Sequence, residues 1–174
     1  GIRDRSVSRG LGDVYKRQFQ WYAQMGGTGS TLALVVLFIR SKVIYLKSLG
    51  KLSFIPGLFN INEPMIFGAP IVMNPILAVP FILAPMVNTV VVYLFTISGL
   101  IPRMMVKPPF TIPAPLGALI TTNWNLIACG LVFICFFISL AIYYPFFKVY
   151  EKKMLETQQA QQEEEEKAKL LANA

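Results

Sequence analysis

The chain has 174 residues, of which 55% are apolar and only 14% charged, with 16 Lys and Arg against 9 Asp and Glu. Soluble domains carry about 25% charged residues, and disordered chains need low hydrophobicity, so this composition excludes both classes and leaves a membrane protein. Two Cys inside one apolar run, Cys129 and Cys135, rule out a disulfide framework, and without any His a histidine-based triad or zinc site is ruled out within these residues.

Residues 1–18 (GIRDRSVSRGLGDVYKRQ) are basic, lack the apolar core of a signal peptide and show no helical or strand period. SVSRGLGDVYKRQ resembles a translated sequencing-adapter read, so the segment is expected to be a non-native leader. A native basic cytoplasmic loop is the alternative. The absence of an initiator Met suggests the C-terminal part of a longer protein.

The first apolar segment, 19–39, is Gly-rich early (GGTGS at 26–30) and continuous later (TLALVVLFI). Its length of about 20 residues suits a spanning helix. Small residues in such a helix usually permit close packing, and GGTGS lacks the Lys of a phosphate-binding loop. Backbone contact with a ligand is the alternative. Arg40, Lys42, Lys47 and Lys51 follow with no acid between them, which marks a cytoplasmic side. Residues 52–75 are interrupted by Pro56, Gly57, Pro64, Gly68, Pro70 and Pro75, yet are too apolar for a surface loop. Broken backbone at membrane depth needs protein or a wet cavity to satisfy it, so a re-entrant hairpin with NINEP at its tip is predicted.

Residues 76–101 are long enough to span, with Pro80, Pro85 and Asn88 predicting a kinked or partly unwound first half. Arg103 and Lys107 follow. The Pro-broken pattern returns at 108–122, predicting a second hairpin. Residues 124–147 form the clearest transmembrane helix, with Trp124 and the Tyr143–Tyr144 pair at its ends as an aromatic belt. Lys148, Lys152 and Lys153 place the charged tail, 151–174, in the cytoplasm. The predicted fold is therefore an all-α membrane protein with two Pro-broken re-entrant hairpins. Two hairpins meeting from opposite faces suit a transporter binding site. The basic excess has no polar domain to carry it, so nucleic acid is not an expected partner.

Glu63 is the sharpest candidate, being the single carboxylate between Asp13 and Glu151. Burying an ionisable group at membrane depth costs several kcal/mol unless it is paired or hydrated, which makes it a functional candidate. Asn60 and Asn62 beside it add amides that can exchange hydrogen bonds with sugar hydroxyls, and Glu63 can act as a general base on one of them. Alternatively Glu63 caps a half-helix or pairs with Lys51 or Arg40. Cys129 and Cys135 read as buried apolar thiols. Asn74, Asn88, Thr121, Thr122, Asn123 and Asn125 either line a wet cavity or satisfy unwound backbone.

GGTGSTLAL, KLSFIPGLFNINEPMIFGAPIVMNP, PPFTIPAP and IYYPFFKVYEK resemble the enzyme IIC subunit of bacterial phosphotransferase systems, in the lactose/cellobiose/diacetylchitobiose family. The resemblance covers roughly 19–156. It implies a multi-pass permease of the bacterial inner membrane, homodimeric at full length. Such a permease binds a β-linked disaccharide near the midplane and presents it to a phosphorylated IIB partner. The family's hydroxyl-contacting Glu maps to Glu63, with Asn60 and Asn62 as neighbouring substrate contacts. Its upstream His has no counterpart here. Where many members carry a Trp in the second hairpin, this chain has Phe110, a further candidate sugar contact. The resemblance implies no cofactor and no metal, and no activity without the partner. A proton-coupled transporter with an acid-centred site, or a membrane subunit with no ligand, are the competing readings.

Overall fold

The computed structural model describes residues 21–101, 109 and 111–172, with side chains described as far as 162. Residues 1–18, Arg103, Lys107 and Phe110, with the expectations attached to them, lie outside the described residues. A helical turn at 21–23 precedes six α-helices, and there is no strand among the described residues. The helices are α1 (Leu32–Ile39), α2 (Ile44–Leu58), α3 (Glu63–Gly68), α4 (Pro75–Ile97), α5 (Ala114–Thr121) and α6 (Leu126–Ala172).

The expected spanning helix over 19–39 is not formed. GGTGS opens into a turn, and only Leu32–Ile39 is regular, about 12 Å of helix where a bilayer core needs about 30 Å. Five of its eight residues, including Leu34 and Phe38, are buried. A helix apolar on all sides belongs inside a bundle, and α1 packs against both α2 and α6. Phe38 is its anchor: its ring stacks at 6.2 Å on Tyr150 and tilts at 5.8 Å against Phe147.

α2 runs through Pro56, which sits in its last turn, and then stops abruptly. Asn60 takes the left-handed conformation (φ 62°), the Ile61 N–H donates to Pro56 O at 3.0 Å and the Asn60 N–H to Gly57 O at 3.1 Å. This is a Schellman stop with Asn in the position glycine usually fills. The chain reverses, and α3 folds back against α2. Residues 52–75 thus hold the end of α2, a tight reversal at 59–62, α3 and a turn.

α4 is one unbroken helix of 23 residues with Pro80 and Pro85 inside it, so its first half is not unwound. Asn74 starts it, its Oδ1 accepting the Ile76 N–H at 3.0 Å. α5 ends as α2 does: Asn123 is left-handed (φ 54°) and the Trp124 N–H donates to Leu119 O at 2.8 Å. α6 follows for 47 residues, passing Pro145 without a break and continuing through 150 into the charged tail. By length and composition, α4 and the stretch Leu126–Gln162 of α6 are apolar enough to cross a membrane. They pack along each other.

Tyr143 departs from the belt expectation. It is fully buried, and its hydroxyl donates to Gly29 O at 2.6 Å, so the exposed aromatics near the two ends are Trp124 and Tyr144. Glu151 is a second departure. Instead of lying in solvent it is 5% exposed and accepts from Ser41 Oγ at 2.7 Å, from the Lys42 N–H at 2.8 Å and from Lys148 Nζ at 3.3 Å. It fixes the corner between α1 and α2 onto α6.

Candidate functional site

The centre of the candidate site is a backbone loop, residues 24–31, seated between α1, the 59–62 reversal, α4 and α6. Gly26, Gly27 and Gly29 all have positive φ, and Ser30 joins them at 54°. The loop is itself the irregular element rather than part of a spanning helix, and its small residues do permit close packing: a Cβ on Gly29 would fall on the Phe81 ring of α4. Side chains from distant positions hold it. Asn60 Oδ1 accepts the Gly26 N–H at 3.1 Å, and Asn60 Nδ2 donates to Ile112 O at 3.0 Å. Asn62 Nδ2 donates to Thr28 O at 2.8 Å and to Thr28 Oγ1 at 3.0 Å. Asn88 Nδ2 donates to Ser139 Oγ at 2.8 Å and reaches Ser30 Oγ at 3.3 Å. Irregular backbone away from water is tolerated only when its polar groups are paired this way.

Gly27 shows why glycine is required. Its φ is 92°, and a Cβ there would stand 2.6 Å from Asn62 Cγ. Gly99 has a similar φ of 73° with open space around it. Gly27→Ala is therefore expected to lower the melting midpoint of the detergent-solubilised chain by several degrees more than Gly99→Ala. Both pay the left-handed backbone cost, but only the first displaces Asn62. Equal shifts would show that the contact with Asn62 is readily relieved.

Glu63 is the first residue of α3, followed by Pro64, whose missing N–H costs nothing in a first turn. Its neighbour Asn62 occupies the capping position but makes no capping bond, because its amide is turned toward Thr28. Asn60 and Asn62 are 4% and 7% exposed, whereas Glu63 and Thr28 are exposed. Among the described residues the Glu63 carboxylate has no salt bridge or hydrogen bond, so it does not pair with Arg40 or Lys51. The reversal thus presents a carboxylate outward, beside a threonine hydroxyl and an amide whose Nδ2 is already engaged. Such a group can accept hydrogen bonds from ligand hydroxyls or take a proton from one.

Of the sequence candidates, the structure brings Asn60, Asn62 and Glu63 onto one turn. The other polar candidates mostly serve backbone. Asn74 and Asn125 start helices, and the Thr121 and Thr122 hydroxyls donate to Ala118 O. Cys129 and Cys135 are free thiols, the second of them buried. Beyond Asn60 lies an apolar cavity of about 360 Å³, walled by Met25, Leu32, Phe54, Phe133, Phe136 and Phe137. Those walls suit apolar faces rather than hydroxyls.

The family model "Phosphotransferase system, EIIC" matches residues 6–85, beginning within the first eighteen residues and covering the loop, Asn60, Asn62 and Glu63. The oligo-beta-mannoside-specific EIIC component of Bacillus subtilis is 44% identical over 145 residues, covering 80% of this chain and 32% of that protein. The crystal structure of the transporter ChbC superposes with a TM-score of 0.78 at 39% identity, covering 82% of this chain and 34% of that one. The chain belongs to the phosphotransferase-system EIIC family. ChbC is the IIC component of an N,N'-diacetylchitobiose-specific phosphotransferase system. A lactose-specific EIICB component of Lacticaseibacillus casei is 39% identical over 140 residues, covering 79% of this chain and 24% of that protein. The chain spans about a third or less of the length of these EIIC relatives.

Proposed function

We propose that residues 19–150 form the substrate-binding transmembrane region of an EIIC sugar permease, with 151–174 a cytoplasmic tail and 1–18 a non-native leader. The permease binds a β-linked disaccharide of the cellobiose kind at mid-membrane and presents it to a phosphorylated IIB partner during uptake. It sits as a multi-pass protein in the bacterial inner membrane and is a homodimer at full length. The observation that carries this reading is the exposed Glu63 carboxylate, held beside the buried Asn60 and Asn62 and unpaired among the described residues. Family membership supplies the setting, and the sugars for which the similar proteins are named (oligo-β-mannoside, lactose and diacetylchitobiose) share β-linkages.

In the transfer step, a sugar hydroxyl oxygen attacks the phosphoryl group carried by IIB. The hydroxyl proton passes to Glu63, and the IIB side chain leaves with its electron pair. Asn62 Oδ1 accepts a second hydroxyl while its Nδ2 keeps Thr28 in place. Asn60 lies beside them in the same site, and Phe110 offers an apolar ring face. Dip-in hairpins at 52–75 and 108–122 would carry these groups to mid-membrane.

The test is a chimera in which residues 19–156 replace the matching segment of the Bacillus subtilis oligo-β-mannoside permease. Uptake of a β-linked disaccharide is expected to require the phosphoryl chain and IIB, and to survive collapse of the proton gradient. Uptake that follows the proton gradient without IIB would favour a symporter instead.

A further inference from the structure

The side chains of the reversal offer a ligand acceptors and few donors. An ionised Glu63 carboxylate only accepts, and the amide donors beside it are engaged. Asn60 Nδ2 donates to Ile112 O at 3.0 Å, and Asn62 Nδ2 donates to Thr28 O at 2.8 Å and to Thr28 Oγ1 at 3.0 Å. A sugar hydroxyl both donates and accepts, so acceptors alone satisfy half of each hydroxyl.

Thr28 supplies the missing donor. Within the loop 24–31 it alone is exposed, standing between Gly27 and Gly29, whose φ values are 92° and 82°. Two bonds tie it to Asn62, the residue directly before Glu63. In the second of these its Oγ1 is the acceptor, and among the described residues its hydroxyl hydrogen has no acceptor. The loop does not depend on that hydrogen. Asn62 holds the Thr28 backbone carbonyl by the shorter bond, Asn60 holds the Gly26 N–H, and Tyr143 holds Gly29 O. A hydroxyl that the fold leaves free to donate thus stands against the residue that precedes the unpaired carboxylate.

We infer that Thr28 is a specificity-determining contact of the sugar site. Its hydroxyl donates to a sugar hydroxyl other than the one that Glu63 receives, so the loop and the reversal together read two positions of the sugar. This rests on the permease reading above and adds a residue of the glycine-rich loop to the site.

Thr28→Val keeps the shape of the side chain and the bond from Asn62 to the backbone carbonyl, and removes the donor. Affinity of the chimeric permease for cellobiose, measured by calorimetry without IIB, is expected to fall about 3- to 10-fold in Thr28→Val, the worth of one neutral hydrogen bond, and to recover in Thr28→Ser. Cellobiose analogues that each lack one hydroxyl give the readout that a disturbed fold would not move. Removal of one particular hydroxyl should cost the unaltered chimera about 3- to 10-fold more than it costs Thr28→Val, whereas the other removals should cost both proteins equally. Unchanged affinity in Thr28→Val, or equal costs for every analogue in the two proteins, would overturn the inference. An unaltered chimera that binds no β-linked disaccharide would overturn it together with the permease reading. Binding without IIB-dependent phosphorylation would refute the transfer step alone, because the analogue comparison is read without IIB.

Discussion

Glu63→Gln, introduced into the chimeric permease, is expected to lower IIB-dependent sugar phosphorylation by about 100-fold or more, within the range a positioned general base supplies. Sugar affinity should fall far less, because the amide keeps the size and one acceptor of the carboxylate. Hydrogen bonds to a charged acceptor are worth about 1.5–3 kcal/mol and neutral ones about 0.5–1.5 kcal/mol, so the exchange should weaken binding by roughly tenfold. Glu63→Ala should reduce both quantities together. The folding cost of either change should be small. The side chain is exposed, begins a helix of only six residues, and supports no other group among the described residues. That separates Glu63 from Asn60 and Asn62, whose loss disturbs the loop itself. Binding measured by calorimetry and phosphorylation measured with purified IIB distinguish the cases. Near-normal phosphorylation by Glu63→Gln would remove the general-base role and leave Glu63 as a binding contact.

The sequence made the long helices and the candidate turn legible for physical reasons that act locally. Residues 126–147 carry an uninterrupted apolar run, and NINEP combines a helix-stopping Asn, a carboxylate and a Pro suited to a first helical turn. Proline spacing was a weaker guide. Pro56, Pro80, Pro85 and Pro145 all lie inside helices, and proline is tolerated in helices of a membrane bundle. The loop at 24–31 departs from the expected helix for a different reason. Its hydropathy fits a span, but its conformation depends on Asn60, Asn88 and Tyr143, which lie 34, 58 and 114 residues from their loop partners. No local window contains those contacts. Glu151 was hidden likewise: its partners Ser41 and Lys42 are 110 and 109 residues away, and its neighbouring lysines suggested a solvated tail. A local signal for two of the helix ends is Asn, Asn60 after α2 and Asn123 after α5. Asparagine tolerates the left-handed stop that both positions adopt.

Asn60 should show the second large effect, and its pattern separates a structural clamp from a sugar contact. The side chain joins three segments: its Oδ1 takes the Gly26 N–H, its Nδ2 holds Ile112 O, and its own backbone ends α2 at φ 62°. Asn60→Gly keeps the left-handed turn without strain but leaves both partners unpaired, each costing about 1–3 kcal/mol when desolvated. Asn60→Ala adds a backbone penalty of roughly 1–2 kcal/mol, so it should melt below the Gly variant. Asn60→Asp keeps an acceptor for Gly26 but opposes Ile112 O with a second oxygen in a buried position, so it should also melt low. Because the loop sets Thr28 against Asn62 beside Glu63, sugar affinity should fall in step with the melting midpoint across the three variants. Thermal melts without sugar and binding titrations with it, on the same preparations, give both numbers. A loss of affinity in Asn60→Gly with an unchanged melting midpoint would mean that Asn60 meets the sugar directly. The Gly26 and Ile112 contacts would then be ones the fold can do without.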